Sequence, residues 1–153
     1  MRGATRWIDT GYMDAADIQT IILFARGKRT NRDVLDWAVE HSQRILPSIR
    51  TKGGAYMKDR PKYYKNIARQ AQSGRFSAMA ELLLYHAPKG DFAPAVIVYP
   101  DDRRVSAALD AIREYEWPLI LHIEFSSLSP SSKKQFHAEL EKLLKGNPQD
   151  PFA

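Results

Sequence analysis

Four short aliphatic runs recur along the chain, each followed by a segment whose apolar residues fall at helical spacing. This alternation restricts the fold more than any other feature. The runs are Ile18-Gln19-Thr20-Ile21-Ile22-Leu23-Phe24-Ala25, Ile45-Leu46-Pro47-Ser48-Ile49, residues 76–84 and Trp117-Pro118-Leu119-Ile120-Leu121-His122-Ile123-Glu124-Phe125. Five to nine residues is strand length rather than helix length, and near-continuous apolar character marks strands buried on both faces.

The intervening segments carry helix signals. Asn31 is placed to cap a helix bearing Val34, Leu35, Ala38 and Val39, and Gly53-Gly54 then breaks the chain. Residues 62–72 follow Pro61 with Tyr64, Ile67 and Ala68 on one side. Asp101 or Asp102 starts a further helix through Tyr115, with Val105, Leu109 and Ile112 on its buried face. Ser129 and Pro130 open the last one, Phe136, Leu140 and Leu144 give its apolar stripe, and Gly146 stops it. Residues 85–103, interrupted by Pro88, Gly90, Pro94 and Pro100, read as a long connection with one extra short strand at 95–99. Another strand is expected where the chain reaches Pro151-Phe152-Ala153.

Strand and helix in strict alternation imply right-handed βαβ units and a parallel sheet, and 153 residues suit a single domain. Two α/β architectures fit: part of a (βα)8 TIM-like barrel with outer helices, or a small open doubly wound sheet. In both, chemistry belongs at the C-terminal ends of the strands, where the βα loops gather.

That edge selects few side chains. Arg26 follows the first run, Arg50 and Lys52 follow the second, and all three are candidates to bind substrate. Glu81 interrupts Ala78-Met79-Ala80-Glu81-Leu82-Leu83-Leu84, where a carboxylate needs either a cationic partner or a metal. His86 is expected just past the end of that strand. His122 interrupts the fourth run, and Glu124, two residues on, shares its face, so the pair is placed for metal binding or acid–base work. His41 and His137 lie on expected helices and are read as surface residues. No glycine-rich phosphate loop, Gly-x-Ser-x-Gly elbow or Cys/His zinc cluster occurs.

The net charge of +5, from 23 Lys and Arg against 18 Asp and Glu, is concentrated between residues 50 and 75. Tyr56, Tyr63 and Tyr64 are interleaved there. A solvated face is the ordinary reading of such a stretch, and a nucleic-acid or polyanion-binding module is the alternative. The sequence has no cysteine, so disulfide and thiolate chemistry are excluded. It also has no apolar run of membrane-spanning length and no apolar leader at residues 1–13, which points to a cytoplasmic protein.

Four stretches resemble the amidohydrolase-related metal-dependent hydrolases of the amidohydrolase superfamily. They are Met13-Asp14-Ala15-Ala16-Asp17-Ile18-Gln19, Met79-Ala80-Glu81-Leu82, Asp101-Asp102-Arg103-Arg104-Val105 and Trp117-Pro118-Leu119-Ile120-Leu121-His122. The resemblance implies a distorted (βα)8 barrel of which this chain covers about strands two to five, an incomplete single domain. It implies that His122 and Glu81 bind a divalent metal, zinc by preference, in hydrolysis, or decarboxylation, of a small organic substrate; Glu124 and His86, from their places near the strand ends, are the catalytic candidates beside them. No His-x-His pair occurs. Weak or absent activity of the isolated chain is therefore expected, together with self-association through open strand edges.

Overall fold

The computed structural model describes residues 10–145. The expected strand at residues 151–153 and the stop at Gly146 lie outside them. Four strands run parallel: β1 (Ile21–Leu23), β2 (Ile45–Arg50), β3 (Ala78–His86) and β5 (Leu119–Ile123). Their spatial order follows the chain order, β1-β2-β3-β5, in a curled sheet. A doubly wound sheet requires a reversal of strand order, and none occurs among the described residues. The short β4 (Val96–Ile97) pairs antiparallel with the last two residues of β3.

Each helix forms for a local reason. Thr30, not Asn31, is the N-cap of α2 (Asn31–Glu40): Asp33 N–H donates to the Thr30 hydroxyl, and the Asp33 carboxylate accepts from Thr30 N–H at 2.7 Å. Threonine wins because Asp33 stands three residues on and closes a reciprocal capping box. Gly53-Gly54 does not simply break the chain. Gly53 caps a single turn, α3 (Gly54–Met57), before Pro61 opens α4 (Pro61–Ala71). The buried face of α4 is Tyr63, Ile67 and Ala71, spaced four apart. Asp102 accepts from Arg104 N–H and starts α5 (Arg103–Tyr115), which ends on Glu116 in left-handed geometry. The last helix, α6 (Pro130–Lys145), sends Phe136 fully into the core, and a further turn, α1 (Thr10–Ala15), precedes β1.

Asn31 of α2 hydrogen-bonds Gln70 of α4, and α4 packs on α5, so the crossover helices line one face of the sheet. Consecutive crossovers of one hand produce such an arrangement, and the right hand is the general rule for parallel strands. β3 is the centre of the core: Ala78, Met79, Ala80, Leu82, Leu83 and Leu84 have no solvent exposure. On β5, Leu119, Leu121 and Ile123 pack toward that core, while Ile120 is exposed on the opposite face.

Two strand expectations need correction. β1 is three residues long and only half-buried, with Ile18 exposed before it. β5 is likewise half-buried rather than enclosed. Both are terminal strands of the described sheet, so their apolar character is not matched by cover on both faces. Among the described residues, no helix is long and apolar enough to cross a membrane.

Candidate functional site

β2, β3, β5 and the residues just past their C-terminal ends bring six polar side chains into one file. It begins at Glu81, which sits in β3 with φ +59°, a left-handed conformation that costs a non-glycine residue about 1–2 kcal/mol. The register of β3 against β5 slips between Met79 and Leu82, so Glu81 is the extra residue of a bulge. The Thr51 hydroxyl donates to Glu81 O at 2.9 Å and pins it. A bulge re-aims a side chain that regular pleating would bury among Leu82, Leu83 and Leu84.

The re-aimed carboxylate meets cations. Lys52 Nζ donates to Glu81 Oε1 at 3.1 Å, and Arg50 Nε lies 3.9 Å from Glu81 Oε2. The partner that Glu81 requires is thus supplied by Lys52, two residues beyond the end of β2. On its other flank Glu81 Oε1 is 3.7 Å from His122 Nδ1.

His122 is the fourth residue of β5, and its Nε2 lies 3.3 Å from Glu124 Oε1. His86 Nε2 approaches the same oxygen at 3.5 Å, and the two imidazoles stack with ring centres 5.5 Å apart. His86 is the last residue of β3 rather than a loop residue past its end. Pairing with β4 extends the strand by that much. Glu124 Oε2 accepts from Ala87 N–H at 2.7 Å, and this backbone bond first, with His122 and His86 adding to it, holds the Glu124 carboxyl below the usual carboxylate range.

The proton positions on His86 follow from its neighbours. Its Nδ1 lies 2.6 Å from Ala87 O, which can only accept, so Nδ1 carries the proton and donates. In the neutral ring Nε2 then offers a lone pair, directed at a carboxylate oxygen that is also an acceptor. Either a second proton or a cation resolves that contact.

Ligand atoms of His86, His122 and Glu124 all lie within 4.8 Å of one another. A tetrahedral ion with bonds near 2.0–2.1 Å sets its ligand atoms roughly 3.4 Å apart. The two imidazole–carboxylate separations, 3.3 and 3.5 Å, already match. The donor set, two imidazoles and one carboxylate, suits zinc, and the Nδ1–H bond to Ala87 O is the kind of support that orients a ligating ring.

No family model, curated protein or solved structure matches this chain. The site therefore rests on its geometry.

Of the residues singled out in the sequence, the fold gathers Arg50, Lys52, Glu81, His86, His122 and Glu124, and leaves Arg26 exposed in the turn after β1, outside the group. Glu81 is absent from the three-ligand cluster and faces cations instead. Thr51 had no signal in the sequence that marked it out, because its role depends on the bulge. The basic stretch divides by position. Lys58, Arg60, Lys62, Lys65, Arg69 and Arg75 are exposed, but Tyr56 and Tyr63 are 0% and 3% exposed. Tyr56 donates to Leu83 O at 2.6 Å, and its ring belongs to the core rather than to a stacking surface. His137 is exposed, and His41 is the partly buried C-cap of α2.

Proposed function

We propose that this chain carries a divalent-metal centre of hydrolytic type at the C-terminal edge of its parallel sheet. His86, His122 and Glu124 hold the ion, and the surrounding sheet is part of a TIM-like (βα)8 barrel of the amidohydrolase kind, working in the cytoplasm on a small organic substrate. The observation that carries this reading is the meeting of His86 Nε2 and His122 Nε2 on one carboxylate oxygen, at 3.5 and 3.3 Å. Three protein ligands and an open position are what hydrolytic zinc sites use. When bound, the ion supplies Lewis-acid activation of water and substrate.

The protein's own groups divide the remaining work. Ala87 N–H and the two imidazoles keep Glu124 ionised as a ligand. Ala87 O fixes the His86 tautomer, leaving Nε2 free to ligate. Glu81, held by Lys52, stands 3.7 Å from the far nitrogen of His122, beside the ring but beyond hydrogen-bond distance. In this arrangement His86 and Glu124 act as ligands, and Glu81 is a neighbouring charge. The roles differ from those expected from the sequence, in which Glu81 ligates and Glu124 and His86 are catalytic.

Calorimetric titration with zinc tests the assignment directly. The wild-type chain is expected to bind about one equivalent, and His122→Ala, His86→Ala and Glu124→Ala are each expected to weaken binding by roughly tenfold or more. Glu81→Gln is expected to weaken it less than any of the three. A panel of small amides and esters then reads hydrolysis by the zinc-loaded protein. Zinc binding that is unaffected by all three ligand substitutions would overturn the proposal.

A further inference from the structure

Two clefts meet where β2 and β3 begin, at the end of the sheet away from the histidine cluster. The first, about 410 Å³, runs between α2 and the start of β2 and is lined by Leu35, Ala38, Val39, Leu46 and Pro47. The second, about 640 Å³, lies between α2 and the C-terminal end of α4 and carries Arg32, Arg69 and Arg75. Leu35 and Arg75 line both, so an apolar groove opens directly into a cationic one.

Local sequence builds the junction. Asn31 of α2 hydrogen-bonds Gln70 of α4, and both line the cationic cleft. Ser73 closes the turn after α4: its hydroxyl donates to Gln70 O at 2.6 Å and accepts from Arg75 N–H at 3.3 Å, while Gly74 takes φ +63°. Glycine holds that conformation without steric cost. The turn thereby sets Arg75 where the clefts join.

Each cleft lacks a complement within the described chain. Val39 stands at core spacing on α2 yet is 80% exposed, beside Leu46 and Pro47. In the cationic cleft Arg32 pairs with Asp36 at 3.8 Å, whereas Arg69 and Arg75 have no carboxylate partner among the described residues. Three guanidiniums against the carboxylate of Asp36 leave a surplus of two positive charges at exposed, reachable positions. A phosphate monoester carries about −1.5 to −2 at neutral pH, and guanidinium forks match its oxygens.

We infer that the joined clefts bind a soluble single-chain amphiphile whose head is a phosphate monoester. The head accepts hydrogen bonds from Arg69 and Arg75, and the chain lies along Val39, Leu46 and Pro47. A carboxylate head leaves one positive charge uncompensated, and a free phosphate leaves the apolar groove in water. Both volumes fall within the roughly 300–1,000 Å³ of ordinary small-molecule sites. None of the three metal-ligand candidates lines either cleft, so this site stands or falls apart from the metal reading.

Decyl phosphate, kept at concentrations where it is monomeric, is the probe, with binding read by calorimetry on chelator-treated protein. It is expected to bind saturably, and at least about tenfold more tightly than ethyl phosphate, which has the head without the chain. Arg69→Gln and Arg75→Gln are each expected to weaken decyl phosphate by about tenfold. Val39→Ser is expected to weaken decyl phosphate by about threefold and to leave ethyl phosphate unchanged. All three side chains are exposed, and circular dichroism checks that the variants fold. His122→Ala is expected to bind decyl phosphate as the wild type does. No saturable binding by the wild type, equal binding by wild type and both arginine variants, or equal uptake of decyltrimethylammonium would each overturn the inference. So would sedimentation with phosphatidic acid vesicles without binding of the monomeric ester, which would assign the cations to a membrane surface instead.

Discussion

At the scale of single residues, Glu81 concentrates the tension between fold and site. Its φ of +59° places a charged, non-glycine residue where L-amino acids pay a steric cost, in the middle of the most buried strand. Such strain persists where surrounding contacts over-determine it, and it gathers at functional sites. Here the contacts are the Thr51 hydroxyl bond to Glu81 O and the Lys52 ion pair. Removing the side chain two ways separates these contributions. Glu81→Ala and Glu81→Gly lose the same contacts, but glycine accepts the left-handed backbone without cost. We expect Glu81→Gly to be more stable than Glu81→Ala by about 1 kcal/mol in urea unfolding. Equal stabilities would mean that the bulge relaxes in the variants and stores nothing.

At the scale of elements, the helix ends make their own predictions. Thr30 and Asp33 bond each other's backbone across the first turn of α2, so Thr30→Ala is expected to lower stability by about 1 kcal/mol. Asp102 does a second job at α5. The Arg104 side-chain hydrogen bond, more than any other influence, holds the Asp102 carboxyl below its usual range. A folded-state value below the unfolded one, about 3.9, gives stability that is complete above that pH and is lost as pH falls through the folded value. Asp102→Asn keeps a capping oxygen without the charge. We expect it to be less stable than wild type at neutral pH, with the gap closing as pH drops below about 4. A gap independent of pH would contradict the charged pairing with Arg104.

The strands and the main helices were legible in the sequence because their signals are local: aliphatic runs, and apolar residues every three or four positions. What escaped was set by partners elsewhere. The cap of α2 moved from Asn31 to Thr30 because Asp33 selects it, and β3 reached His86 because β4 pairs with its end. The site shows the same division. His122 and Glu124 lie two apart in sequence and could be joined by inspection, although Glu124 falls just past the end of β5. That His86 completes their cluster, while Glu81 turns toward Lys52, depends on the bulge and on the register of β3 against β5. The tyrosines among the basic residues divide in the same way: α4 turns Tyr63 inward and leaves Lys62, Lys65 and Arg69 exposed.

For the whole molecule, the sheet order decides how the site is exposed. Among the described residues, nothing pairs with the outer edges of β1 and β5, and Ile97, Ile120 and Phe125 are 40–49% exposed. Unpaired strand edges with apolar neighbours favour association with another chain. Sedimentation velocity is expected to show a mass above the 17.5 kDa monomer that rises with concentration. A single monomeric species across the range would show that the edges are covered in solution. Replacing Ile120 with lysine is expected to reduce association while leaving the β5 face that packs on the core intact.

The claim on which the rest depends is that His86 Nε2 faces a metal ion rather than a bare carboxylate. Cobalt(II) in place of zinc reports its ligands through the intensity of its visible absorption, strong when four-coordinate and weak when six-coordinate. Titration of the wild-type chain is expected to give an intense band that saturates near one equivalent, and His86→Ala a weak band with a later end point. Identical spectra and end points for the two proteins would contradict the account.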